Sequence, residues 1–135
     1  MAGSYRLVPL DDASTDEDED LWYLATQVDD LFDDAGIRMM SYDEAFSGIE
    51  SGGKLVAALV AGSPYNDPFT CYRFSVAVAP EHRRKGLAKR LIEDFVSFCE
   101  SQGFAPEAWV VNESAMVPLL EDLGFSKTDE ALWGY

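Results

Sequence analysis

Val78-Ala79-Pro80-Glu81-His82-Arg83-Arg84-Lys85-Gly86-Leu87-Ala88 joins a β-prone run to an amphipathic one. The run Phe69–Ala79 ends at Pro80, which has no N–H to donate to a sheet ladder. Beyond Gly86, the residues Ala88, Leu91, Ile92, Phe95, Val96 and Cys99 form one apolar stripe at helical spacing, closed by Gly103. The stretch therefore predicts a strand, a tight turn and a helix in succession.

Outward from it, the elements alternate. Leu55–Ala61 is a second β-prone run, separated from Phe69–Ala79 by Gly62-Ser63-Pro64-Tyr65-Asn66-Asp67-Pro68, and the two should pair as an antiparallel hairpin. Tyr5–Leu10 reads as a first strand. Leu21, Leu24, Val28, Leu31 and Phe32 predict a helix that Gly36 ends. Ser41-Tyr42-Asp43-Glu44 matches a capping box, and with Ala45, Phe46 and Ile49 it predicts a second, short helix stopped by Gly52-Gly53. Ala108–Val111 is a short strand. Met116, Leu119, Leu120 and Leu123 give a last helix, with Pro118 in its first turn and Gly124 as its stop. Phe125–Tyr135 should return as one or two strands. The order has no internal repeat or linker, so the expected fold class is α/β: one domain over residues 1–135, a mixed sheet with helices on its faces.

The formal charge is −15, from 25 acids and 10 bases. Such a surface repels nucleic acid and anionic membranes and favours cationic partners, although acidity also serves solubility, as in a saline environment. The longest apolar stretches fall far short of the roughly 20 residues that span a bilayer. No basic region followed by an apolar core opens the chain, so cytoplasm is the expected compartment. Residues 11–20 are mostly Asp and Glu: a solvated loop, or an acidic lip for a cationic substrate. Cys71 and Cys99 have neither metal-ligand nor redox-pair spacing and are expected as buried thiols; no metal site is expected.

Against this background, Arg83, Arg84, Lys85, Lys89 and Arg90 place five of the ten basic side chains within eight residues. Either the cluster pairs with neighbouring carboxylates or it holds an anion. A strand, turn and helix N-terminus directs backbone N–H groups and a positive dipole at one point, which suits a pyrophosphate. The loop lacks the Lys-Ser/Thr ending of a Walker loop and the three glycines of a dinucleotide turn.

The residues Val78-Ala79-Pro80 and Arg83-Arg84-Lys85-Gly86-Leu87-Ala88 resemble the hallmark of the GCN5-related N-acetyltransferase (GNAT) family, Val-x-Pro followed by Arg/Gln-x-x-Gly-x-Gly/Ala. Asn112, Met116 and Leu123-Gly124-Phe125 resemble the family's later segment, so the resemblance covers about residues 54–126. It implies a mostly antiparallel mixed sheet with splayed central strands, helices on both faces and a bulge near Phe74–Ala77. It implies acyl-coenzyme A, such as acetyl-CoA, as co-substrate. The backbone of Val76, Ala77 and Val78 would pair with pantetheine, Arg83, Arg84, Lys85, Gly86, Leu87, Ala88 and Lys89 would wrap the pyrophosphate, and Asn112 would lie near pantetheine or the leaving thiol. It also implies an amine-bearing small molecule or peptide as acceptor, and a homodimer through the C-terminal edge.

Direct transfer from a thioester needs a neutral amine, a polarised carbonyl and a proton for the thiolate. A backbone N–H near Val78 is the expected polarising group. Many members of the family place a tyrosine acid four residues before the Gly of Leu-Gly-Phe; here that residue is Leu120. Tyr72, Ser114 and Tyr135 are the candidate acids, with water as the alternative. Glu107 and Asp67 are candidate bases acting through water, or surface carboxylates. His82 is placed to face solvent or a phosphate, or to exchange a proton. Arg73 would orient a substrate carboxylate or form a salt bridge. Trp22, Tyr23, Tyr42 and Trp133 would line an acceptor pocket or pack in the core.

Overall fold

The computed structural model describes residues 5–10, 23–24, 26–37, 44–62, 71–109, 116–129 and 132–134. The acidic run, Trp22, Tyr42, Asp67, Asn112, Ser114 and Tyr135 lie outside them. Strands β1 (Arg6–Pro9), β2 (Glu44–Ser51), β3 (Lys54–Gly62), β4 (Cys71–Val78), β5 (Ala105–Trp109), β6 (Ser126–Asp129) and β7 (Leu132–Gly134) form one sheet in the order β1-β2-β3-β4-β5-β7-β6. Only β4 and β5 run parallel; every other neighbouring pair is antiparallel. A parallel pair needs a long crossover. Helix α2 (Leu87–Gln102) supplies it, α1 (Val28–Ala35) precedes β2, and α3 (Met116–Asp122) precedes β6.

The helices cover both faces. Val28, Leu31 and Phe32 of α1 join Leu55, Ala58, Val60 and Ala77 in one buried cluster. Leu91, Ile92, Phe95 and Cys99 of α2 and Leu120 of α3 join Leu59, Phe74, Val76 and Ala108 in the other. Alternate side chains of β3 and β4 thus feed opposite layers, as strand pleating dictates. Gly103 closes α2 in the left-handed conformation, its N–H and that of Phe104 bonding to the carbonyls of Glu100 and Cys99.

The expected short helix after Ser41 is instead β2. The hairpin it makes with β3 explains why. Gly52 and Gly53 both have positive φ, 61° and 81°, and Ser51 pairs with Lys54 around them. A two-residue turn with both φ positive matches the twist of the flanking strands. Gly48 adds a second reason: a Cβ there would lie 2.5 Å from Leu55 Cδ1 and 3.1 Å from the Ala57 carbonyl oxygen. Close strand contact, not helix capping, selects these residues.

The helix expected from Leu21 is interrupted within its predicted span: Tyr23 and Leu24 are helical, and α1 starts anew at Val28. A turn at Thr26–Gln27 separates Tyr23–Leu24 from α1, and the Gln27 side-chain oxygen accepts from the Leu55 N–H at 3.0 Å. A tertiary bond to β3 thereby fixes where α1 starts. β5 begins three residues earlier than expected and includes Pro106, one residue before its pairing with β7 starts at Glu107. Phe125 packs in the core, and the chain after it returns as the β6–β7 hairpin.

Cys99 is fully buried, as expected, and desolvation pushes its thiol from 9.0 up to about 12. The thiol is therefore protonated in the native state while an unfolded chain would release the proton above pH 9. Its contribution to stability is complete below pH 9.0 and is lost as pH rises toward 12. In a Cys71→Ser background, Cys99 should resist an aromatic disulfide reagent at pH 8 until denaturant is added. Rapid native labelling would contradict this burial. The Cys71 side chain lies outside the described residues.

Candidate active site

The central strands separate. Among the described residues, β4 pairs with β5 from Cys71↔Ala105 through Phe74↔Ala108 and no further. Trp109 then pairs with Leu132 of β7, while Ser75–Val78 continue against β3, their one sheet partner among the described residues. Val76, Ala77 and Val78 consequently present a strand edge with no sheet partner among the described residues. An unpaired strand edge is a template for another extended chain, which suits the amides of a pantetheine arm. The expected bulge near Phe74–Ala77 is not found: register with β3 is unbroken from Gly62↔Arg73 to Ala57↔Val78. Among the described residues the register shifts lie elsewhere, with Phe46 of β2 and Val56 of β3 as extra residues in the β2–β3 ladder and another shift at Lys127/Asp129 of β6. β5 keeps its pairing with β7 through Trp109, while β4 keeps an unbroken register with β3.

At the open end of β4 the chain forms a one-turn 3₁₀ segment, Pro80–His82, and then Arg83–Gly86 before α2. Gly86 sits at φ 76° and Arg84 at φ 63°. A non-glycine residue held there costs about 1–2 kcal/mol, strain that persists where the surroundings demand the shape. Alternating left-handed residues make a concave run of N–H groups, the form that binds anions. No side chain caps the first turn of α2 and no acid lies in it, whereas α1 carries Asp29 and Asp30 in its first turn. A Cβ on Gly86 would meet nothing within 4 Å, so the space before the helix is open.

The two explanations of the cluster differ in whether its five cations pair with carboxylates. Among the described residues, ion pairs join Arg6 to Glu50 and Arg73 to Glu107, and none involves Arg83, Arg84, Lys85, Lys89 or Arg90. Arg83 donates from Nε to the Val78 carbonyl oxygen at 3.2 Å, which folds the turn back onto the end of β4. Charge, dipole and unengaged amides thus converge within one turn of the unpaired edge of β4. This donor set fits a pyrophosphate joined to an extended amide arm.

Other anticipated residues fall in different places. Arg73 and Glu107 form a pair at 2.6 Å, directly opposite each other one step before the strands part. The Glu107 carboxylate straps β4 to β5, so the salt bridge weighed for Arg73 is formed. His82 is half-buried and held by Tyr5, its Nδ1 2.9 Å from the hydroxyl. Leu120 is fully buried in the α2-side core. Tyr72 lies on β4 opposite Pro106, its side chain outside the described residues, as is that of Trp133 on β7. Tyr23 is 60% exposed rather than core.

One residue at the opening was passed over. Ser75 is the first residue of β4 beyond the last β5 pair and is buried, on the same side of the strand as Ala77. A single hydroxyl inside the apolar run Phe74–Ala79 was the available signal. Two cavities of about 220 Å³ each lie elsewhere, one beside Pro9 and Ser47 and one beside Arg6 and Tyr23.

Comparison with known proteins agrees with this geometry. The profile of the Acetyltransferase (GNAT) family matches residues 7–125. The chain belongs to this family. A curated relative, N-acetyltransferase family 8 member 7 of Mus musculus, is 28% identical over 131 residues, covering 85% of this chain and 57% of its own length. The chain thus spans little more than half of that relative. An N-acetyltransferase from Staphylococcus aureus Mu50 superposes with a TM-score of 0.69 at 14% identity, over 98% of this chain and 95% of its own. A GNAT family acetyltransferase from Elizabethkingia anophelis, solved with acetyl-CoA bound, gives 0.61 at 16% identity over 93% and 78%. These likenesses show a shared fold: a mixed, mostly antiparallel sheet with parted central strands and helices on both faces.

Proposed function

We propose that this GNAT domain transfers an acetyl or other acyl group from acyl-CoA to the primary amine of a small molecule or peptide. The observation that carries the proposal is the meeting of the uncapped, basic N-terminus of α2 with the unpaired edge Val76–Val78. The pyrophosphate is held by the amides and cations of Arg83–Lys89, and the pantetheine arm lies along β4. An acidic chain of charge −15 favours a cationic amine as acceptor.

In this scheme the protein positions two substrates and stabilises developing charge, and no covalent enzyme intermediate is required. A backbone N–H near Val78 polarises the thioester carbonyl. The amine attacks its carbon, the C–S bond breaks as the C–N bond forms, the nitrogen passes its surplus proton to water, and the thiolate takes a proton from Tyr72, Ser114, Tyr135 or water. The buried Leu120 has no part in this chemistry. Asn112 is assigned to the pantetheine or leaving-thiol region.

Incubation with acetyl-CoA and a broad amine panel, following free thiol, should show multiple turnovers. Tyr72→Phe, Ser114→Ala and Tyr135→Phe should then single out the acid through a fall in kcat of about 10²–10⁴-fold. The burial of Leu120 at the usual acid position favours one other reading, a domain that binds acyl-CoA as a sensor without turning it over. Tight binding with no thiol release across the panel would establish that reading instead.

A further inference from the structure

Tyr5, just before β1, lies 77 residues from His82 in sequence, yet its hydroxyl is 2.9 Å from His82 Nδ1. The two rings also meet edge to face, with centroids 5.7 Å apart and planes at 89°. Such ring pairs attract each other beyond the area they bury. His82 closes the 3₁₀ turn that leads into Arg83–Gly86. Other restraints on that turn are sparse. The Ala79 N–H donates to the Val56 carbonyl at 2.8 Å, the His82 N–H donates back to Ala79 at 2.9 Å, and the Arg83 side chain reaches only to Val78. Among the described residues, Tyr5–His82 is the only side-chain hydrogen bond from Pro80–Gly86 to a distant part of the chain.

We infer that Tyr5 and His82 are positioning residues for the phosphate-binding turn: their hydrogen bond presets the path of Arg83–Gly86, and with it the cradle of N–H groups before α2. The inference rests on the proposed coenzyme A site. A turn with a left-handed Arg84 has more relaxed conformations available to it. A tether four residues before Gly86 removes them before the ligand arrives, and preorganisation of this kind raises affinity by lowering the ordering cost of binding. Neither residue needs to touch the ligand.

The test is calorimetric titration with coenzyme A and with pantetheine, which lacks the pyrophosphate. Tyr5→Phe keeps the ring and removes the hydroxyl, and should weaken coenzyme A binding about three- to tenfold while leaving pantetheine binding within twofold. His82→Asn places a polar atom where Nδ1 sits and should retain most of the affinity; His82→Gln, whose amide reaches instead toward the Nε2 position, should not. Unchanged coenzyme A affinity in Tyr5→Phe, or equal losses for both ligands, would overturn the inference, as would equivalent behaviour of Asn and Gln. If the unaltered protein binds no coenzyme A, the underlying site assignment fails first. Measurement well below the thermal midpoint keeps a general loss of stability from imitating the effect.

Discussion

Gly86→Glu should abolish measurable coenzyme A binding, a loss of at least about 100-fold in Kd, or roughly 2.7 kcal/mol. Two separable effects contribute. At φ 76° a residue with a Cβ pays about 1–2 kcal/mol, and the Cβ itself meets open space. A carboxylate about 4 Å from a pyrophosphate oxygen is repelled by about 4 kcal/mol at an effective dielectric near 20, less at an exposed turn. Gly86→Gln carries the strain without the charge and should retain substantially more affinity. Circular dichroism should be native for both variants, because a Cβ at Gly86 would meet nothing within 4 Å. If Glu and Gln weaken binding equally, charge is not the cause; if neither changes it, the ligand binds elsewhere.

The features on which that site assignment rests are local. The stop at Pro80, the glycine before the helix, the missing acid in the first turn and the clustered cations all fall within the eleven residues Pro80–Arg90. Helix α2 was equally legible, since its buried stripe and its Gly103 cap lie within a single segment. Features that depend on distant partners were not legible. The segment Glu44–Ser51 carries a genuine capping pattern, and only β1 on one side and β3 on the other make it a strand. The parting of β4 and β5 was expected from resemblance, but its means was not. Beyond Phe74↔Ala108, Trp109 pairs with Leu132 of β7, 23 residues distant in sequence, and has no β4 partner among the described residues.

The same distinction separates the candidate residues. Arg73 and Glu107 are 34 residues apart and become partners only once α2 has returned the chain parallel to β4. His82 offered several roles in isolation, and Tyr5 selects among them. Leu120 is the reverse case: its helical spacing alone placed it in the core, and it is fully buried there. The unpaired cations change the standing of the loop most. A basic cluster in a chain of charge −15 has many carboxylates to choose from, and among the described residues it takes none. Withholding positive charge from available partners leaves it for a ligand.

Phe74→Ala should be the most destabilising single change near the opening. Phe74 is 1% exposed at the point where the strands part, with Phe95 and Phe125 at ring distances of 5.1 and 5.7 Å. Ala108 opposite it is equally buried and too small to fill the space left. Removing a buried aromatic ring typically costs about 3–5 kcal/mol, a large share of the roughly 5–15 kcal/mol that holds a domain folded. Urea denaturation should show this as a lower midpoint at unchanged slope. Coenzyme A at about 100 times its Kd should restore about 2.7 kcal/mol to the variant, since the ligand stabilises only the native state. Phe74→Leu, which keeps much of the volume, provides a measurable intermediate should the alanine variant not fold. A loss below about 1 kcal/mol in Phe74→Ala would mean that the aromatic cluster does not secure the apex. A stable variant that no longer bound coenzyme A would instead make Phe74 a ligand contact, because packing at the apex acts on the ligand only through the fold.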